Sequence, residues 1–139
     1  MITGRRLSYS VMVDTKIGPG ALDWWEGHRR SDPGLVGSAS MMILQVRNTG
    51  LRRITTEDYE SPLTFDFGGR TVLAARVDAS NSNLRVTVVG GAHAIEVGAV
   101  ELCRNRGFDL ALLLVGNFEG SVRHRGSLRA GRIAFKPFD

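Results

Sequence analysis

The amino-acid sequence predicts an all-β protein, either a β-sandwich or a barrel, with about eight or nine short strands. Segments in which apolar and polar residues alternate recur along the chain, and this period of two is typical of half-buried strands. Clusters of glycine, proline and asparagine separate these segments, and almost none has the period of an amphipathic helix. With 139 residues, 42% of them hydrophobic, the chain has the length and composition of a single domain, residues 1–139.

Residues 40–67 form the unit around which the other strands are expected to assemble. A first strand presents alternate apolar residues on one face: Met42, Leu44 and Val46. A returning strand does the same: Leu63, Phe65 and Phe67. We expect Asn48 and Gly50 to make a turn, because both residue types tolerate positive φ. Residues 55–60 have a capping-box pattern with room for about one helical turn.

The remaining strands are predicted from the same alternation. In chain order they cover residues 7–14, 22–26, 70–77, 84–88, 93–97 and 108–115, with one last strand within 123–135. Gly90 and Gly91 predict a hairpin turn. Both faces of the strand at 108–115 are apolar, so we expect both to be covered. The predicted core comprises Leu44, Val46, Phe65, Val86, Val88, Leu110, Leu112 and Ile133.

Cysteine content and hydropathy indicate a cytoplasmic protein. Cys103 is the only cysteine, which excludes an internal disulfide, and its apolar neighbours predict a small core residue. A lone thiol fits the reducing cytoplasm. The longest apolar run, residues 110–115, is far shorter than the roughly 20 residues of a membrane helix. Arg5 and Arg6 precede an alternating segment instead of an apolar run, so no signal peptide is expected.

Charge is unevenly distributed along a chain whose net charge is +4. Acidic residues cluster in the middle: Glu57, Asp58, Glu60 and Asp66. Arginines crowd the last third: Arg104, Arg106, Arg123, Arg125, Arg129 and Arg132. This asymmetry favours either an acidic partner or the meeting of one copy's acidic side with another copy's basic side.

Four segments carry a resemblance to a known class of domains. They are residues 44–50 (LQVRNTG), 53–65 (RITTEDYESPLTF), 108–116 (FDLALLLVG) and 131–134 (GRIA). The chain resembles uncharacterised immunoglobulin-like β-sandwich domains of bacteria, especially actinobacteria. The resemblance implies an immunoglobulin-like antiparallel β-sandwich that serves as an accessory part. It implies no catalytic residues, because its motifs are turns and strand cores.

The sequence favours a non-enzymatic module that binds another protein or copies of itself, as an accessory or structural component of a bacterial complex. Edge strands of a sandwich carry unpaired backbone groups that can accept a further strand. Tryptophan and arginine are frequent anchors of protein interfaces. The candidate partner-binding residues are therefore Trp24, Trp25, Arg29 and Arg30.

The alternative function is a basic nucleic-acid-binding or nucleotide-binding domain. It would use the C-terminal arginines, if these line one strand face: Arg123, Arg125, Arg129 and Arg132. A hydrolase is a third interpretation, which needs a pocket uniting a histidine, a carboxylate and a nucleophile. The three histidines match no catalytic or zinc-binding spacing, and no cofactor is predicted.

Overall fold

The computed structural model describes residues 5–16, 39–77, 84–116 and 122–137. These residues form nine strands and one 3-10 turn. The strands are β1 (Arg5–Lys16), β2 (Ala39–Asn48), β3 (Tyr59–Asp66), β4 (Thr71–Val77), β5 (Val86–Val89), β6 (Ala94–Val97), β7 (Gly107–Val115), β8 (Arg123–Leu128) and β9 (Gly131–Phe135). The 3-10 turn, η1, covers Thr56–Asp58. The strand predicted at 22–26 lies outside the described residues.

Two sheets pack face to face, which confirms the predicted all-β sandwich. The five-stranded sheet has the order β4-β7-β2-β1-β9, and the four-stranded sheet has the order β5-β6-β3-β8. Neighbouring strands are antiparallel except β1 and β9, which are parallel. The buried side chains of both sheets form one core between them, and it includes Met42, Leu44, Val46, Leu63, Phe65, Leu110 and Leu112.

The two central strands of the larger sheet, β2 and β7, are buried on both faces at one end. The inner face carries core residues such as Leu112. On the opposite face a second buried cluster contains Ala39, Leu113 and Val115. The prediction that both faces of the strand at 108–115 are covered is therefore confirmed, and its near-continuous apolar sequence follows from this double burial.

The segment predicted to hold one last strand, residues 123–135, holds two strands in different sheets. β8 pairs with β3 in the smaller sheet, whereas β9 pairs with β1 in the larger sheet. The chain crosses between the sheets at a tight turn in which Ala130 has a φ of +49°. The two residues of this turn separate β8 from β9. After the turn, the chain pairs with β1 of the larger sheet and no longer with β3 of the smaller sheet.

Two residues predicted to be buried are exposed. Val88 was assigned to the core, but 42% of its surface is exposed, because β5 is the edge strand of the smaller sheet. Cys103 is also exposed. Its neighbour Leu102 is buried and bridges to Ile54, so Cys103 lies on the opposite, solvent-facing side of the chain.

Asn48 organises the corner where β2 ends, and it does so through its side chain. The residue is fully buried. Its Nδ2 donates to the backbone oxygens of Arg52 (2.8 Å) and Leu102 (2.9 Å), and its Oδ1 accepts from the N–H of Gly50 (3.0 Å). Neither Asn48 nor Gly50 has a positive φ, so the conformational reason given for this turn was wrong. The buried amide determines the turn instead.

The predicted capping box is present, and it also receives a cation from β1. The backbone N–H and the hydroxyl of Thr55 donate to Asp58 Oδ2 at 2.8 and 3.0 Å. Arg5 Nε lies 3.2 Å from the same oxygen, and the Asp58 side chain is only 7% exposed. The Thr55 backbone hydrogen bond, reinforced by its hydroxyl and by the charge of Arg5, lowers the pKa of Asp58 below its ordinary value of 3.8.

We expect Asp58→Asn to destabilise the protein by about 1–2 kcal/mol at neutral pH, because charge-assisted hydrogen bonds become neutral ones. The folded-state pKa is the lower one, so Asp58 contributes stability above about pH 4 and loses it as the pH falls through the folded pKa. The difference between variant and wild type should therefore shrink on acidification. Urea unfolding between pH 7 and pH 3 measures this, with the exposed Glu57→Gln as control. An equal difference at every pH would contradict the linkage.

A buried arginine lies where β4 begins. Arg70 is 1% exposed, and its Nη1 lies 2.9 Å from Asp14 Oδ1. A β-bulge between Val11 and Val13 makes this pair possible, because it shifts the register by one residue. Asp14 then lies opposite the core residue Met42 and shares its inward face. Unbroken alternation from Tyr9 would instead place Asp14 on the outer face.

Candidate functional site

The four residues of the first site prediction cannot be located. Trp24, Trp25, Arg29 and Arg30 all lie outside the described residues. The proposal that they form one contact surface remains a prediction from the sequence.

The four C-terminal arginines do not lie on one strand face. Arg123 and Arg125 lie opposite Asp66 and Thr64 of β3, so they project outward from the smaller sheet. Arg132 lies opposite Arg6 of β1 and projects outward from the larger sheet. Arg129 lies in the turn between them, where its N–H donates to the backbone oxygen of Asp58. The two sheets thus separate the arginines onto opposite sides of the sandwich.

β8 and β9 end their sheets on the same side of the sandwich, and this side is the candidate site. β9 pairs with β1 through one edge, where the N–H of Lys136 donates to the backbone oxygen of Tyr9 at 2.8 Å. In a parallel ladder alternate residues point their backbone groups to opposite edges. The backbone groups of Ile133 and Phe135 therefore point away from β1, toward the free edge.

An aromatic cluster lies behind this free edge. The ring of Tyr9 makes edge contacts with Phe65, His124 and Phe135, at centroid distances of 5.0, 5.2 and 5.5 Å. Tyr9 is buried, and its hydroxyl lies 2.7 Å from His124 Nδ1. Burial raises the pKa of Tyr9 above 10.0, which keeps this hydroxyl protonated. The pair ties β1 of one sheet to β8 of the other.

Phe135 is the apolar side chain of this cluster that reaches solvent. Its ring packs against the buried Tyr9, yet 51% of Phe135 remains exposed. An aromatic residue that is half packed and half exposed at a strand edge has the character of an interface anchor. The exposure of Phe135 does not follow from the sequence pattern, because the pattern does not distinguish an edge strand from a central one.

The surroundings of the edge are basic. β9 carries Arg132 and is followed by Lys136, while β8 carries Arg123 and Arg125, and all four are exposed. The acidic side chain nearest in register is Asp66, which pairs with Arg125 at 3.5 Å. Among the described residues, this edge therefore presents an aromatic side chain, backbone groups that pair with no strand, and a surplus of positive charge.

The described residues contain no cluster of metal-binding side chains. They contain no group of three or more histidine, cysteine, aspartate or glutamate side chains placed to hold a metal ion. His93 Nδ1 lies 2.9 Å from the backbone oxygen of Arg70, and His124 is bonded to Tyr9, so both have structural partners. In this part of the chain, no helix has the length and apolar character needed to cross a membrane.

Comparisons with known proteins assign no family. No protein-family model matches the chain, and no curated protein matches it. Two solved structures of a GH20 exo-β-N-acetylglucosaminidase from Vibrio harveyi, an inactive mutant and a complex with N-acetylglucosamine, are similar to 96% of this chain at 12% identity. The TM-scores are 0.47 and 0.44, and the chain covers 18% of each enzyme chain. An enzymatic role for this chain is not established by these similarities.

Proposed function

We propose that this protein is a non-enzymatic interaction module that binds an extended, acidic segment of another protein along the free edge of β9. The observation that carries the proposal is the combination at this edge of outward backbone groups, a half-exposed Phe135 and surrounding arginines. Strand addition to a sheet edge obtains affinity from backbone hydrogen bonds and specificity from alternate side chains. The exposed lone Cys103 suits a reducing compartment, and we place the module in the cytoplasm.

The alternation of β9 defines the chemistry of the expected partner. Arg132 and Lys136 lie on the outer face of the larger sheet, whereas Ile133 and Phe135 lie on the inner face beside Tyr9. A strand added to this edge alternates in the same way. Its residues beside Phe135 should be apolar, and its residues beside Arg132 and Lys136 should be acidic.

A second copy of this chain fits the edge less well than an acidic segment. If two β9 strands paired antiparallel with Ile133 opposite Phe135, Arg132 would lie opposite Lys136. Like charges directly opposite each other destabilise a strand pair. Self-association through β9 is therefore disfavoured in that register, and we expect the module to be monomeric before it binds.

The test uses a synthetic octapeptide of alternating valine and glutamate, titrated into the labelled protein and followed by NMR. We expect saturable binding that shifts the amide signals of Ile133 and Phe135 most, and that weakens at least tenfold for Phe135→Pro. Proline at 135 removes an outward N–H and the ring without touching the hydrogen bonds to β1. Arg132→Glu should weaken binding by a similar factor, because it reverses a charge beside the peptide.

Matched controls distinguish strand addition from nonspecific binding of the peptide. Val88 is 42% exposed on β5, at the edge of the smaller sheet opposite β8, so Val88→Ser should bind the peptide as wild type does. An octapeptide of alternating valine and lysine should not bind. The proposal is wrong if both peptides bind equally, if neither binds, or if the shifts concentrate on β5. A defined oligomer by light scattering, lost in Phe135→Pro, would instead assign the edge to self-assembly.

A further inference from the structure

The outer face of the larger sheet contains a pocket that adjoins the edge of β9 and shares Lys136 with it. It has a volume of about 230 Å³ and is lined by Ser8, Ser10, Gln45, Arg47, Thr49, Lys136 and Pro137. Ser8 lies opposite Arg47 and Ser10 lies opposite Gln45 in the pairing of β1 with β2. Short side chains on β1 and longer ones on the neighbouring β2 therefore form a floor and walls.

The two serines at the floor are largely buried as residues, although they lie on an outer face of the sandwich. Ser8 is 4% exposed and Ser10 is 8% exposed. Ser8 Oγ lies 2.6 Å from Thr49 Oγ1, whereas no hydrogen bond of the Ser10 hydroxyl is present among the described residues. The Ser10 hydroxyl opens into the pocket, so it can donate a hydrogen bond to a ligand there.

The walls of the pocket are cationic. Arg47 and Lys136 line it, and Arg6 and Arg132 follow on the same face, opposite each other in the pairing of β1 with β9. Within the described chain, none of these four side chains takes part in an ion pair. The acidic residue that shares this face in register is Asp109, opposite Gln45. Four mutually repelling cations near the hydroxyls of two serines favour a bound anion.

From this arrangement we infer that the pocket binds a phosphate group, either as inorganic phosphate or as a phosphate monoester. Arginine and lysine with hydroxyl donors match the charge and the acceptor oxygens of a phosphate. The volume lies below the range of roughly 300–1,000 Å³ typical of drug-sized ligands, so the pocket fits a head group. None of its lining residues is aromatic, and a nucleobase would have no side chain on which to stack.

The inference is tested by titrating inorganic phosphate at constant ionic strength, with chloride as the replaced anion, and following the amide signals of Ser8 and Ser10. We expect saturable binding in the millimolar range, weakened about tenfold by Arg47→Gln and by Lys136→Gln, since one charge-assisted contact is worth roughly that factor. Ser10→Ala should weaken it several-fold. Arg123→Gln removes an exposed cation from the opposite sheet and should leave phosphate binding unchanged.

Vesicles distinguish the two sources of the phosphate. Binding to phosphatidylcholine vesicles with 10% phosphatidic acid that exceeds binding of free phosphate, and that is lost in Arg47→Gln, would assign a lipid head group. Binding of free phosphate alone would assign a soluble ligand. The inference fails if wild type shows no saturation, or if Arg123→Gln weakens binding as much as Arg47→Gln. Arg47→Gln should still bind the valine–glutamate peptide. The phosphate-binding inference and the proposal for the β9 edge are therefore tested independently.

Discussion

Asn48→Ala is expected to lower the free energy of unfolding by about 3–4 kcal/mol and the melting temperature by about 10 °C. The substitution removes three hydrogen bonds from a residue that is fully buried. It leaves the N–H of Gly50 and the backbone oxygen of Arg52 without these partners, in addition to a small cavity. Urea unfolding of wild type and variant at neutral pH measures the difference.

Two further variants make this expectation specific to the amide. Asn48→Asp keeps an acceptor for Gly50 but places carboxylate oxygens against two carbonyl oxygens, so it should destabilise at least as much as alanine. Leu51→Ser changes an exposed neighbour in the same turn and should stay within about 0.5 kcal/mol of wild type. A loss below about 1 kcal/mol for Asn48→Ala would show that the corner holds without its amide.

Arg70→Met is expected to destabilise the protein by about 3 kcal/mol or more, because it breaks a buried ion pair and leaves Asp14 without the guanidinium at 2.9 Å. Asp14→Leu removes the other partner and should be destabilising as well. The double variant replaces both charges by apolar groups, so it should lose clearly less stability than the sum of the two single variants.

The double-mutant cycle gives the coupling energy of the pair, which we expect to be about 1–3 kcal/mol. Arg123→Met is the matched control, since Arg123 is an exposed arginine on β8 and its loss should change stability by less than about 0.5 kcal/mol. Additivity of Arg70→Met and Asp14→Leu within about 0.5 kcal/mol would mean that the contact contributes no net stability.

Asn48 and Asp14 illustrate how far the sequence predicts this structure. The turn at Asn48 was placed correctly, yet its cause was wrong, because Leu102, 54 residues away, supplies one of the amide's partners. The inward position of Asp14 does not follow from alternation, which assumes an unbroken ladder, because the bulge between Val11 and Val13 breaks it. The capping-box pattern predicted within residues 55–60 is confirmed by Thr55 and Asp58, since both partners are three residues apart.

The candidate sites depended more strongly on the tertiary structure. Phe135 became a candidate anchor only because β9 is an edge strand, and no local pattern determines which strand ends a sheet. The phosphate pocket joins residues from β1, β2 and the end of the chain, which lie up to 129 positions apart. The arginines that are close in sequence were separated, because the turn at Ala130 sends β8 and β9 to different sheets.

The sequence by itself determined the all-β class, the positions of most described strands, the β5–β6 hairpin and most core residues, since period-two burial and turn chemistry act between near neighbours. Strand order, the parallel pairing of β1 with β9 and the choice of edge strands were decided only by the tertiary structure. These features arise from the packing of two sheets around one core, so they depend on contacts between residues distant in sequence. The proposed sites are formed by those contacts, so no local sequence motif predicts them.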